Sequence, residues 1–155
     1  MKIVAKRKIG APAQKIWPYL SDFANIYRFH PLVKESQIIE GEGEIGIGFK
    51  RECRFEDGNY SKEVITDWDE GCSYTVDIFE TSLPIEQANA TLGVLPLQGE
   101  SSQLYMVFNL KPKNFLMAPL MYLMFRYSTA PNILKDLAQL YNLESAQQVP
   151  PAAAG

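Results

Sequence analysis

Residues 115–143 read FLMAPLMYLMFRYSTAPNILKDLAQLYNL. Up to Tyr127 the only charged residue is Arg126, whereas farther on Ile133, Leu134, Leu137 and Tyr141 recur at helical spacing against Lys135, Asp136, Gln139 and Asn142. The spacing predicts one long helix, amphipathic at its far end and apolar nearly all round at its near end. Positions 116, 120, 123, 124, 127, 134, 137 and 141 fall on one stripe, which is expected to be covered along its length, each buried side chain contributing ~1.5–3 kcal/mol. Pro119 suits the first turn, where its missing N–H costs nothing, and Pro131 is expected to bend the helix without ending it.

The chain upstream has the texture of strands that could cover such a helix. Lys2–Ile9 opens as a short strand, closed by Ala11 and Pro12. Ala13–Leu20 then reads as a short helix, centred on Trp17, that Pro18 should kink or end early. A second short helix, DFANIYRF, has Ser21 or Asp22 as its cap and Phe23, Ile26 and Tyr27 on one side; His30 and Pro31 close it. From Val33 the pattern is one of strands. The first is VKESQIIEGEG, and glycines 41, 43, 46 and 48 mark turn or bulge geometry after it. Phe49, Arg51, Cys53 and Phe55 alternate onto one face, with a hairpin turn at Asp57 and Gly58. Return strands follow at 60–68, 73–80, 88–97 and 103–111, the last with Leu104, Met106, Phe108 and Leu110 inward. Consecutive strands with short links imply an antiparallel meander with one apolar face. The fold class is therefore α+β: about six to seven antiparallel strands, two short helices after strand 1, and a long C-terminal helix as the cover. One domain spans 1–144, and the tail 145–155, ending VPPAAAG, is expected to be disordered.

Composition excludes several functions. At 155 residues and 46% hydrophobic content the chain supports one real core. A net charge of -3 argues against general polyanion binding, so no nucleic-acid partner is expected, and Lys2, Lys6, Arg7 and Lys8 read as the solvated face of the first strand. No export signal opens the chain, and its most apolar run is too short and too interrupted by proline to span a bilayer, which takes about 20 residues. The expected location is cytoplasmic. Cys53 and Cys72, both placed on strands among apolar neighbours, read as small buried hydrophobes and not as a metal site or a disulfide. No metal and no cofactor is expected.

The segments APAQKIWPYLSDFANIYRFHPLV, GFKRECRFEDG and KEVITDWDEG with Tyr74 beyond it, together with NLKPK before the long helix, resemble the START-like (SRPBCC) superfamily. That group holds birch-pollen-allergen-like proteins, polyketide cyclase/dehydratase and lipid-transport families, and the plant abscisic-acid receptors. The resemblance spans about residues 2 to 143 and rests on pattern, without a catalytic signature. It implies the helix-grip fold, a curved sheet gripping the terminal helix with a cavity for hydrophobic ligands between them. Binders, transfer proteins and enzymes share this scaffold, so fold alone does not fix activity.

Arg51 is the most informative residue, because its strand turns a charge toward the apolar face, where it needs a partner or a cavity. A three-residue turn, Asp57–Asn59, would set Cys53 opposite Glu63 and make Glu63 a diagonal neighbour of Arg51; a two-residue turn would bring Lys62 inward instead. The resemblance favours the first, since the matching acid in the abscisic-acid receptors looks into the pocket. His30, the only histidine, is placed at the lip between short helices and sheet, where it is either a general base or a local cap. Tyr74, Tyr122 and Tyr127 are candidates to aim hydroxyls into the cavity, or else core aromatics. Met106, Met117, Met121 and Met124 suit a pocket that adapts to several shapes, as well as an ordinary core.

The expected ligand-binding set is Arg51, Glu63, Tyr74, Met106, Phe108, Tyr122 and Tyr127, and the expected partner is a small hydrophobic molecule, lipid-like or polyketide-like. The alternative is a cofactor-free cyclase or dehydratase in which His30, Arg51 or a tyrosine moves a proton. A third reading leaves LMAPLMYLMF exposed, to dock on a membrane surface or a second subunit. The sequence does not fix the oligomeric state.

Overall fold

The computed structural model describes residues 1–148. Its strands are β1 (Lys2–Ile9), β2 (Val33–Glu40), β3 (Lys50–Phe55), β4 (Tyr60–Asp69), β5 (Ser73–Thr81), β6 (Ile85–Pro96) and β7 (Ser102–Pro112). Its α-helices are α1 (Ala13–Leu20), α2 (Ala118–Met124) and α3 (Ala130–Gln147). The seven strands make one sheet in the order β1-β7-β6-β5-β4-β3-β2, antiparallel throughout. Neighbours from β3 to β7 are joined by short turns, β2 and β3 by the longer loop 41–49, and β1 pairs with β7. Breaks in register between β2 and β3 and between β4 and β5 leave extra residues that bend the strands. The curved sheet wraps the C-terminal helix, and this is the helix-grip fold.

Alternation decides what the sheet presents. Leu104, Met106, Phe108 and Leu110 of β7 are buried, as are Tyr74 and Val76 of β5. On α3 the same role falls to Ile133, Leu134 and Leu137, each at most 1% exposed. The polar edge of the N-terminal strand, Lys2, Lys6, Arg7 and Lys8, faces solvent. The loop after β2 turns at Gly41, whose φ is 133°; a Cβ there would lie 2.5 Å from the Phe49 ring. Only glycine allows both the backbone angle and that approach.

Several expectations need correction. Pro18 does not end α1, which runs on to Leu20; Pro18 and Gln14 both lie on the exposed face of the helix. The second short helix is a 3₁₀ segment, Phe23–Arg28, broken at Asn25. Asp22 does not cap it by a side-chain bond; its carboxylate accepts from the Asn25 side chain at 3.0 Å, and Tyr27 is exposed. Cys72 is half-buried in the β4–β5 turn, because Asp69–Cys72 closes a tight turn before β5 begins. Residues 145–147, read as tail, continue α3, while residues 149–155 lie outside the described part.

The largest correction concerns the near half of the long helix. It is a 3₁₀ turn (Phe115–Met117), then α2, then a π-turn over Phe125–Thr129, then α3. Pro131 has no N–H to give to the Tyr127 carbonyl, and its ring would collide with that carbonyl in a regular helix. The backbone widens instead, and the Ala130 N–H reaches the Phe125 carbonyl, five residues back. The buried positions therefore step from Ala130 to Phe125 and Met121; of the expected stripe, Leu116, Leu123 and Tyr127 face outward, while Leu120 and Met124 are exposed but sit at the cavity's edge.

Candidate functional site

Between the inner face of the sheet and the segment α2 to π-turn lies a cavity of about 360 Å³. Val76, Ala90, Leu92, Met106 and Phe108 form its sheet wall, and Met117, Leu120, Met121, Met124, Phe125 and Ile133 its helical wall. The Phe108 and Phe125 rings stack at 4.9 Å and close the side where sheet and helix meet. At the mouth stand Leu32, the β3–β4 turn with Glu56 and Asp57, and Leu83 with Pro84 of the β5–β6 turn.

The polar part of the wall is centred on one buried ion pair, with His30, Ser61 and Thr129 also in the lining. The β3–β4 loop has three residues, 56 to 58, with the Gly58 N–H bonded to the Phe55 carbonyl and Gly58 at φ 86°. This register places Arg51 directly opposite Glu63 and Cys53 opposite Ser61. The loop has the expected length but lies one residue earlier than expected, so the two charges are cross-strand partners and not diagonal neighbours. Arg51 is 1% exposed. Its Nε and Nη2 both donate to Glu63 Oε2, at 2.8 and 2.6 Å, and its Nη1 donates to the Phe23 carbonyl at 2.8 Å. The guanidinium also lies over the Phe23 ring, 4.2 Å from its centre. Glu63 Oε1 accepts from the Ser61 hydroxyl at 3.2 Å. Burial opposes the Arg51 charge, but the adjoining Glu63 carboxylate outweighs it and the pKa rises. Arg51 and Glu63 thus form a buried pair of no net charge.

His30 lines the cavity near this pair. Burial drives its pKa down to about 4; Glu63 pulls it up and Arg51 pushes it down, so the imidazole is neutral at pH 7. Its Nδ1 accepts from the Leu32 N–H at 3.3 Å, and its ring meets Phe55 edge to face. Cys53 lies beside the pair, its thiol pushed up to about 12 chiefly by burial.

The seven expected binding residues divide. Arg51, Glu63, Met106 and Phe108 lie on the cavity wall. Tyr74 is fully buried outside the lining, stacked on Trp68, with a hydroxyl that has no hydrogen-bond partner. Tyr122 and Tyr127 are 36% and 70% exposed on the outside of the helical segment. The π-turn is the reason, since it rotates the near half away from the phase set by Leu134 and Leu137. Sequence reasoning missed Ser61, although it shares the inward parity of Glu63. It also missed the Phe23 carbonyl, which no side-chain pattern signals. Among the described residues, no cluster of three or more His, Cys, Asp or Glu side chains is placed to hold a metal, and no helix is long and apolar enough to cross a membrane.

Residues 1–141 match the model of the family described as polyketide cyclase / dehydrase and lipid transport. Among solved structures the chain is similar to an uncharacterized protein from Bacillus thuringiensis, with TM-score 0.77 and 16% identity over 92% of this chain and 99% of that one. It is also similar to the protein XoxI from Bacillus cereus, with TM-score 0.76 and 20% identity over 92% and 97%. A Thermobifida fusca protein matches with TM-score 0.77 and 21% identity over 92% and 93%. At these identities the likeness concerns the fold alone. No curated protein matches the chain by sequence.

Proposed function

The chain belongs to the polyketide cyclase / dehydrase and lipid transport family, whose fold provides a cavity for small molecules, and from that premise we propose that it is a carrier of one small hydrophobic molecule. The observation that carries this reading is the cavity itself. Its 360 Å³ falls in the lower part of the ~300–1,000 Å³ range of small-molecule sites, and its lining is mostly apolar, with one interior ion pair, His30, Ser61, Thr129 and a rim of turn residues as its polar groups. Desolvation of an apolar ligand drives uptake, at about 25 cal/mol per Å² buried. Three methionines on the helical wall, Met117, Met121 and Met124, let that wall adapt to the ligand's shape.

Two features favour a carrier over the cyclase or dehydratase alternative. The Arg51 and Glu63 side chains are engaged with each other, and an imidazole with a pKa near 4 is a weak base at neutral pH. The test is native mass spectrometry of protein purified from cell extract, followed by titration of the delipidated protein with Nile red. A co-purifying small molecule and saturable one-site uptake are expected. Protein that is ligand-free from every host and takes up no dye would refute the carrier.

A specific observation also supports loading at a lipid surface. Phe115, Leu116, Leu120, Leu123 and Tyr127 are each more than half exposed, while Leu120 also lines the cavity. No Asp or Glu occurs between residues 101 and 135. Lys113 and Arg126 flank the patch, and neither makes a salt bridge among the described residues. An apolar surface with uncommitted cations fits an anionic bilayer. Flotation with phosphatidylserine-containing liposomes should carry the protein upward and Leu120→Glu should abolish this; wild-type protein that stays at the bottom of the gradient would refute it.

A further inference from the structure

The charges around the cavity define which hydrophobic molecules it accepts. Arg51 is the only Lys or Arg in the lining among the described residues, and two of its nitrogens are bound to Glu63. The other ionisable groups in the lining are His30, Glu56, Asp57 and Glu63. From these facts we infer that the ligand is an uncharged lipophile bearing a hydroxyl or carbonyl group, and that the cavity discriminates against carboxylates of the same length and shape. The inference rests on the carrier reading and names the chemical class of its cargo.

Consider first a ligand that enters with its polar end inward. A carboxylate there would meet the Glu63 carboxylate, and the cation that could balance it is already engaged. Burying a charge without its own partner is far more costly than burying a hydrogen-bonded neutral group. A hydroxyl, in contrast, can donate to Glu63 Oε1, whose one partner is the Ser61 hydroxyl, or accept from an N–H of Arg51 not used on Glu63 or Phe23. A carbonyl can do the second. Neither disturbs the charge balance of the pair.

The opposite orientation offers a carboxylate no better partner. At the mouth it would stand beside Glu56 and Asp57, both exposed. Asp57 is held ionised by the Asn59 backbone N–H and side-chain amide, which its carboxylate accepts at 2.9 Å each. His30 supplies no compensating charge because it is neutral. Both ends of the cavity therefore favour the neutral ligand.

Displacement of Nile red by decanol and by decanoate at pH 7.5 isolates this property, since the two probes share a chain and differ in charge. Decanol should displace the dye at a concentration at least about tenfold lower than decanoate, one factor of ten being the smallest gap expected of an unpartnered buried charge. In Glu63→Gln, which frees the Arg51 charge, the preference should shrink or reverse. Circular dichroism of that variant shows whether it is folded, and the wild-type comparison decides the matter without it. Equal or tighter displacement by decanoate, or displacement by neither probe, would overturn the inference while leaving the carrier standing. Failure of Nile red itself to bind wild-type protein would overturn the carrier, and the cargo class with it.

Discussion

Replacing Glu63 by alanine tests the physical core of the site. The Arg51 guanidinium, 1% exposed in the native protein, loses the acceptor of its Nε and Nη2 and keeps the Phe23 carbonyl and ring. Deprotonation offers no relief, because arginine keeps its charge under all ordinary conditions. Removing one partner of a buried ion pair typically costs ~3–5 kcal/mol, a large part of the ~5–15 kcal/mol by which domains are stable. With a urea m-value of ~2 kcal/mol/M the unfolding midpoint should fall by about 2 M. The double variant Arg51→Met with Glu63→Leu removes both charges and fills the space with apolar atoms, and it should recover most of the loss. Equilibrium urea unfolding of wild type, Arg51→Met, Glu63→Leu and the double variant closes the cycle, and a coupling of at least ~2 kcal/mol is expected. If Glu63→Ala moves stability by less than ~1 kcal/mol, the guanidinium is hydrated from the cavity. A carboxylate ligand would then meet a solvated cation, and the preference for a neutral ligand would be lost.

Three further outcomes follow from the same neighbourhood. Tyr74→Phe removes a buried hydroxyl that has no partner, so it should leave stability unchanged or raise it by up to ~1 kcal/mol in urea unfolding, whereas a loss above that would reveal a hydrogen bond to the hydroxyl. In native protein a disulfide reagent should label Cys72 in its turn within minutes and spare Cys53, whose thiol burial pushes up to about 12; both should react in denaturant, and rapid double labelling of native protein would contradict the burial. His30, the only histidine, should titrate near 4 by NMR. Its folded pKa lies below the unfolded value of about 6.5, so the unfolded chain takes up the proton first; stability is full above pH ~6.5 and falls as pH drops toward 4, by at most ~3 kcal/mol because the residue is partly exposed. His30→Gln should flatten that slope, and a His30 titration at 6.5 would refute the burial.

What the sequence revealed and what it hid have separate physical causes. Period-two alternation is local, so Arg51, Met106 and Phe108 could be assigned to the inner face from their own strands, whereas Glu63 needed a three-residue turn to be preferred over a two-residue one. The error in the hairpin was a shift that preserved parity: moving the three-residue loop back by one residue moved the pairing by two, so Glu63 stayed inward while its partner changed from Cys53 to Arg51. Helical phase has no such protection, because one inserted residue rotates everything beyond it. Pro131 was visible, and a bend was its expected effect, yet the backbone met the missing N–H with a π-turn, and the bond from Ala130 to Phe125 changed the phase of everything before it.

The same slip explains why there is a cavity at all. A regular helix running back from Leu134 would have turned the stripe of Leu123, Leu120 and Leu116 toward the sheet. With the π-turn the near half turns Leu116 and Leu123 outward and leaves Leu120 at the cavity's edge, and Met121 and Phe125 are its buried apolar side chains. The sheet face around Val76, Ala90 and Leu92 is left with an apolar space in front of it, and such a space remains apolar unless a ligand enters. The π-turn before Pro131 thus sits between the apolar space and the apolar exterior beside it. A carrier that collects its cargo from a lipid surface needs those two features next to each other.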